Sequence, residues 1–109
     1  MYRTALAAVA LLCATGTALA CPASYYGSES GSRTANGERF NPSAMTCAHR
    51  TYPFGSMLKV TWRGRSVVCR VNDRGPFTGG RCIDLSRGAA DRLGMIRAGV
   101  ANVSIQRIK

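Results

Sequence analysis

Acidic residues are scarce in this chain: five stand against fifteen basic ones, for a formal net charge of +10. Histidine is scarcer still, with His49 the single copy, and the cysteine spacings follow no metal-finger pattern, so no metal site is expected. No strained serine turn accompanies that histidine, which removes the usual serine triad. Internal repeats and low-complexity linkers are absent, and past residue 20 no stretch is apolar enough to span a bilayer. What remains is a short, arginine-rich chain with thirteen arginines spread along its length. Such a charge suits an anionic partner: nucleic acid, an acidic membrane surface or an acidic wall polymer.

The first twenty residues, "MYRTALAAVALLCATGTALA", carry Arg3, an apolar run from Ala5 to Ala14, and Ala18-Leu19-Ala20 as a small-x-small cleavage site. This is the pattern of a secretory signal peptide over 1–20, leaving one domain over 21–109 with a charge of +9. Export makes intracellular nucleic acid an unsuitable partner and places the mature protein in the periplasm or outside the cell. Cys21, Cys47, Cys69 and Cys82 remain, an even number in a small exported domain, which favours two disulfides. Four cysteines permit three pairings, and spacing does not choose among them. Cys21, directly after the cleavage site, is also where an outer-membrane lipoprotein would be anchored, although Ala18 stands where that signal prefers leucine. Membrane contact is expected only in that case.

Ala23 to Tyr26 reads as a short strand, Asn36-Gly37 as a tight turn, and Asn41-Pro42 as a turn start. In "MLKVTWRGRSVVCRV", Leu58, Val60 and Trp62 alternate with polar residues, and Val67, Cys69 and Val71 do so after Arg63-Gly64. That predicts a β-hairpin with one buried face. Cys82 to Leu85 predicts another strand, Ser86 an N-cap for a helix through Leu93, and Gly94 its terminator. "ANVSIQRIK" closes the chain as a last strand. Several short strands and one or two short helices in so small a domain predict an all-β closed barrel, which removes open edges.

Few groups are suited to catalysis: Glu38, His49, Asp73 and Asp84, each beside a turn or at a strand end. Breaking a glycosidic bond usually takes two carboxyl groups across a groove, one protonated and one ionised. Each residue also has a plain structural use. Asp73 can pair with Arg74 or cap a turn, Asp84 can cap the helix near Ser86, Glu38 can be a solvated turn residue, and His49 a hydrogen-bonded structural one.

"ASYYG", "RTANGERFNPSAMTCAHRTYPFGSMLKV" and "GRSVVCRVNDRGPFTGGRCIDLSRGAADRLGM" resemble the rare-lipoprotein-A family of bacterial cell-envelope proteins, over Ala23 to about Ile108. The resemblance implies a six-stranded double-psi β-barrel like those of expansins and barwin-like proteins. It implies lytic transglycosylase action on peptidoglycan, preferably on peptide-free glycan strands, cutting MurNAc–GlcNAc bonds to leave 1,6-anhydro-MurNAc ends. No cofactor and no metal are implied, and a monomer is expected. Carried over by motif, the functional positions are Glu38 in "TANGE", His49 in "AHR" and Asp73 in "NDRGP", with Asp84 in "IDLS" as in expansin-like relatives. Asp73 is the candidate general acid, with His49 and Glu38 holding the glycan and tuning it. Tyr26, Tyr52, Arg74 and Phe77 are the candidate substrate-binding residues, with Tyr25 and Phe54 as further aromatic faces. On a more conservative reading, Phe54 and Trp62 belong to the core. No C-terminal peptidoglycan-binding repeat follows, so septal targeting is not expected. Two other readings compete with the enzyme: a non-catalytic, expansin-like wall-polysaccharide binding or loosening module, and a secreted basic effector or inhibitor acting on a protein.

Overall fold

The computed structural model describes residues 18–27, 31–77 and 79–109. Its elements run β1 (Leu19–Tyr26), β2 (Thr46–Ala48), β3 (Met57–Trp62), β4 (Arg65–Asp73), β5 (Ile83–Ser86), α1 (Arg87–Leu93) and β6 (Ala101–Arg107). The strands close into a six-stranded barrel in the order β1-β5-β2-β4-β3-β6. Two of the pairings, β1 with β5 and β2 with β4, are parallel; the others are antiparallel.

The β3–β4 hairpin follows the predicted alternation. Arg63 (φ 48°) and Gly64 (φ 80°) both take positive φ, the conformation a two-residue loop needs to match the strand twist. Leu58, Val60, Val67, Cys69 and Val71 then point inward and are buried. They meet Ile83 and Leu85 of β5 and Val103 and Ile105 of β6 in one core. Helix α1 starts and stops where its caps predict: the Ser86 side chain accepts from Ala89 N–H, and Gly94 (φ 82°) donates back to the last turn. Its buried residues Ala89, Ala90 and Leu93 close one side of the barrel. Gly88 lets the helix lie directly on the 42–43 turn, because a Cβ there would sit 2.7 Å from the Ser43 carbonyl oxygen.

Strand β2 is not predicted from the sequence. Three residues are too few to show a period, and "TCA" is ordered by neighbours on both sides, β5 and β4. All three of its residues are buried. One of the disulfides, Cys47–Cys69, runs inside the core between β2 and β4, with Cα atoms 5.8 Å apart. The other, Cys21–Cys82, joins β1 to the residue before β5, with Cα atoms 6.1 Å apart. Of the three possible pairings the fold thus selects one.

The expected signal peptide lies outside the described residues up to residue 17. Strand β1 begins at Leu19, and the pairs Leu19↔Ile105 and Ala20↔Ser104 fall ahead of the expected cleavage point. Both residues are exposed, so cutting after Ala20 would remove ladder pairs and leave the core untouched. Among the described residues no helix is long and apolar enough to cross a membrane.

Candidate active site

Side-chain alternation decides which residues of β1 and β5 face the core. Ala23, Ile83 and Leu85 are fully buried in it, so Ser24, Tyr26 and Asp84 occupy the other face of the sheet. The parallel register sets Ser24 beside Asp84, and the Ser24 hydroxyl donates to Asp84 Oδ1 at 2.9 Å. Short strand β2 then joins the second acid to the first. Its last residue, Ala48, is registered with Asp84 on one side and with Asp73 on the other. The two acids therefore flank one small residue from adjacent strands, with backbones about 9.5 Å apart at ordinary strand spacing. A larger side chain at Ala48 would stand between them.

Above this rim lies an open cleft of about 310 Å³, lined by Tyr26, Ala48, Asp73, Arg74, Gly75, Pro76, Phe77 and Asp84. Asp73 ends β4, and its Oδ1 accepts the N–H groups of Arg74 and Ala35, both at 2.9 Å. It does not pair with the Arg74 guanidinium, which donates instead to the carbonyls of His49 (3.2 Å) and Tyr52 (2.9 Å) and lies over the Phe54 ring. Phe77 stands on the lip, 77 % exposed, free to present its face. Arg50, a residue the sequence did not single out, ties this loop down by donating to the carbonyls of Pro76 and Arg81. The Cys21–Cys82 disulfide fixes the loop's far end.

Glu38 and His49 do not line this cleft. Glu38 forms a bidentate pair with Arg70, at 2.6 and 2.9 Å, and accepts from Asn36. Those hydrogen bonds, Arg70's first, hold its carboxyl down at about 2, so it stays ionised and is unsuited to donating a proton near neutrality. Its effect is indirect: the pair anchors the 33–39 turn on β4, and that turn supplies the Ala35 N–H to Asp73.

His49 closes a turn. Its Nδ1 accepts from Thr51 and Tyr52 N–H, both at 3.1 Å, so the neutral ring carries its proton on Nε2. The ring stacks on Tyr52 with centroids 4.2 Å apart. Burial, then the charges of Arg50 and Arg74, push its pKa below the ordinary histidine value. Because the unfolded chain binds this proton more readily, stability from His49 is complete above about pH 6.5 and falls as pH drops through the folded pKa. Thermal denaturation across pH 5–7.5 should show that slope in the wild type and lose it in His49→Asn.

The aromatic residues divide differently from expectation. Phe54, assigned to the core on the conservative reading, is 42 % exposed because the turn at Pro53–Gly55 carries it outward, where Arg74 covers it. Trp62 is half-buried under Arg63. Tyr25 faces the core side and donates to the Ile96 carbonyl, while Tyr52 is half-buried beside His49. Tyr26 lines the cleft but is buried, its ring stacked on Phe40 at 5.0 Å. Ser24 and Phe40 were not foreseen; the Ser24–Tyr26 spacing, two residues on one strand face, hinted at Ser24, and nothing local pointed to Phe40.

A closed six-stranded barrel with these paired crossings makes the chain a double-psi β-barrel protein. Over residues 18–105 its sequence matches the family described as lytic transglycolase, and the chain belongs to that family. It is 59 % identical over 90 residues to a probable endolytic peptidoglycan transglycosylase RlpA of Synechocystis sp., covering 80 % of this chain and 28 % of that protein. Over 89 residues it is 48 % identical to the endolytic peptidoglycan transglycosylase RlpA of Neisseria meningitidis serogroup A, covering 79 % and 37 %. The chain thus spans 28–37 % of these relatives' length. Among solved structures, Streptomyces papain inhibitor superposes with a TM-score of 0.72 at 22 % identity, covering 87 % of this chain and 97 % of that one. An expansin of Clavibacter michiganensis in complex with cellohexaose gives 0.69 at 20 %, covering 85 % and 51 %. These two likenesses concern the fold.

Proposed function

We propose that this chain is an exported peptidoglycan lytic transglycosylase that cleaves between MurNAc and GlcNAc in glycan strands, preferably peptide-free ones, and leaves 1,6-anhydro-MurNAc ends. The observation that carries the reading is the placing of Asp73 and Asp84 on either side of Ala48 in one open cleft. The activity named for its relatives supports it. Asp73 donates a proton to the glycosidic oxygen as the bond from the anomeric carbon breaks. Asp84, ionised and oriented by Ser24, faces the positive charge that develops on the sugar. The sugar's own C6 hydroxyl then attacks the anomeric carbon and returns its proton to Asp73, so no water is consumed. Phe77 offers an aromatic face at the lip, and the positive charge of Arg74 in the cleft suits muramyl carboxylates.

Export after cleavage at Ala20 agrees with two disulfides, which persist in oxidising compartments. A lipid anchor on Cys21 would need the sulfur that bonds Cys82, so one molecule cannot carry both. A monomer in the periplasm or medium is the state we propose.

The test is a mass-spectrometric digest of sacculi and of peptide-stripped strands by the oxidised protein. Anhydromuramyl ends are the expected product. Strands that bind the protein and stay intact would instead favour the binding module, and indifference to glycan with tight binding to a protein would favour the inhibitor. If Glu38 acts through its turn, Glu38→Gln should lower kcat on the order of tenfold and leave strand binding unchanged. With its carboxyl held at about 2, the Arg70 pair is complete above about pH 4.5 and fails only as pH falls towards 2. A wild-type kcat profile free of any Glu38 step above pH 5 checks that assignment.

A further inference from the structure

Three buried side-chain atoms among the described residues have no hydrogen-bond partner: Tyr26 Oη, Thr46 Oγ1 and Asn72 Oδ1. Of these residues only Tyr26 lines the cleft that holds Asp73 and Asp84. Native structures seldom leave a buried hydroxyl unbonded, and those that do so at a functional site invite an explanation in the working cycle. The ring of Tyr26 is fixed by Phe40, and its backbone by the pairing with Ser86 on β5. Its hydroxyl is therefore a placed group in the cleft that also holds the two acids, and it is spent on no bond within the protein.

We propose that Tyr26 is a positioning residue for the acid pair: its hydroxyl, which has no partner within the protein, donates a hydrogen bond to one of the two carboxylates when glycan fills the cleft. The inference rests on the transglycosylase reading for its catalytic consequence, but the placing of Tyr26 in one cleft with the acids stands apart from it. Burial, then the negative charges of Asp73 and Asp84, raise the Tyr26 pKa well above the ordinary tyrosine value, so Oη keeps its proton and has one to donate to an ionised carboxylate. The charged and titratable groups lining this cleft are few. Asp84 comes from β5, Asp73 from the end of β4 and Arg74 from the loop after it, while β2 contributes only Ala48. A donor beside one member of the pair makes the two acids unequal, as division of the acid and base roles requires.

Tyr26→Phe tests this cleanly, because it removes one unbonded oxygen and keeps the ring on Phe40. The melting temperature should stay the same or rise, since no native hydrogen bond is lost. With glycan strands, kcat should fall about tenfold at unchanged KM, and one limb of the kcat profile should move up by about one pH unit, the acidic limb where Asp84 is the acceptor and the basic limb where Asp73 is, as expected for losing a donor to a charged acceptor. Carboxyl NMR titration of Asp73 and Asp84, with a chitin oligosaccharide filling the cleft, should show the same shift in one of them. That titration is independent of cleavage, so it decides the Tyr26 role even if the wild type cuts nothing. A lower melting temperature in Tyr26→Phe would make the hydroxyl a structural group, and unchanged carboxyl titrations would mean that it serves neither acid; either result overturns the proposal.

Discussion

Asp73→Asn is expected to leave a folded protein that no longer releases anhydromuramyl ends, with cleavage down by 10³-fold or more. Loss of a positioned general acid typically costs about 10²–10⁴-fold, and in the mechanism we propose the same carboxyl also takes back the C6 hydroxyl's proton. The fold should tolerate the change. The bonds at Asp73 come from backbone N–H groups of Ala35 and Arg74, and an amide oxygen in the same place accepts them equally well in direction. Asp73→Ala would be a poorer control. It strands both donors at the rim, at a cost of about 1–3 kcal/mol, and so mixes a stability defect with the chemical one. The experiment compares anhydromuramyl ends per strand by mass spectrometry, alongside melting temperatures. Cleavage by Asp73→Asn at near wild-type rate would remove Asp73 from the chemistry and return it to the role of a turn cap.

Removing the Cys47–Cys69 bridge should have the largest effect on stability. Both sulfurs are fully buried, and the bridge closes a sequence separation of 22 residues. Chain entropy alone assigns such a loop about 3 kcal/mol. A domain this small has a total stability on the order of 5–15 kcal/mol, so the double variant Cys47→Ala/Cys69→Ala should melt ten or more degrees lower. Function should fall further than stability. Strand β2 has three residues, and its end, Ala48, holds the separation between Asp73 and Asp84. The Cys21–Cys82 bridge closes the longer loop, 61 residues, and tethers the segment that follows Phe77. Its loss should be comparable in entropy but gentler in the core, because both residues sit at the barrel's edge. Urea titrations of the two double variants would compare them directly. A shift under about 1 kcal/mol for Cys47/Cys69 would mean that packing alone secures β2.

Much of the architecture was written locally. The period-two alternation of Leu58, Val60 and Trp62 and of Val67, Cys69 and Val71 reports one buried sheet face, which is a property of a single strand. The Arg63-Gly64 loop, the Ser86 cap and the Gly94 stop likewise depend on residues within a few positions of one another. Even the pairing of scarce acids with a Gly/Pro loop was visible, as was the family's order of motifs.

What the motifs could not show is which of their residues meet. "TANGE", "AHR" and "NDRGP" put Glu38, His49 and Asp73 forward as one set, yet only Asp73 lines the cleft, joined there by Asp84 and by Tyr26. Glu38 turns to Arg70 and His49 to its own turn, through bonds whose partners the sequence does not announce. By itself the sequence determined the strands with a clear period, the turns, the helix caps, the charge and the shortlist of acids, because these follow from conformational preferences of neighbouring residues. The tertiary structure alone decided the existence of β2, the order of the strands around the barrel, the disulfide pairing and the meeting of Asp73 with Asp84. Each of those depends on parallel crossings between segments distant in the chain, and such contacts leave no period in the sequence that makes them.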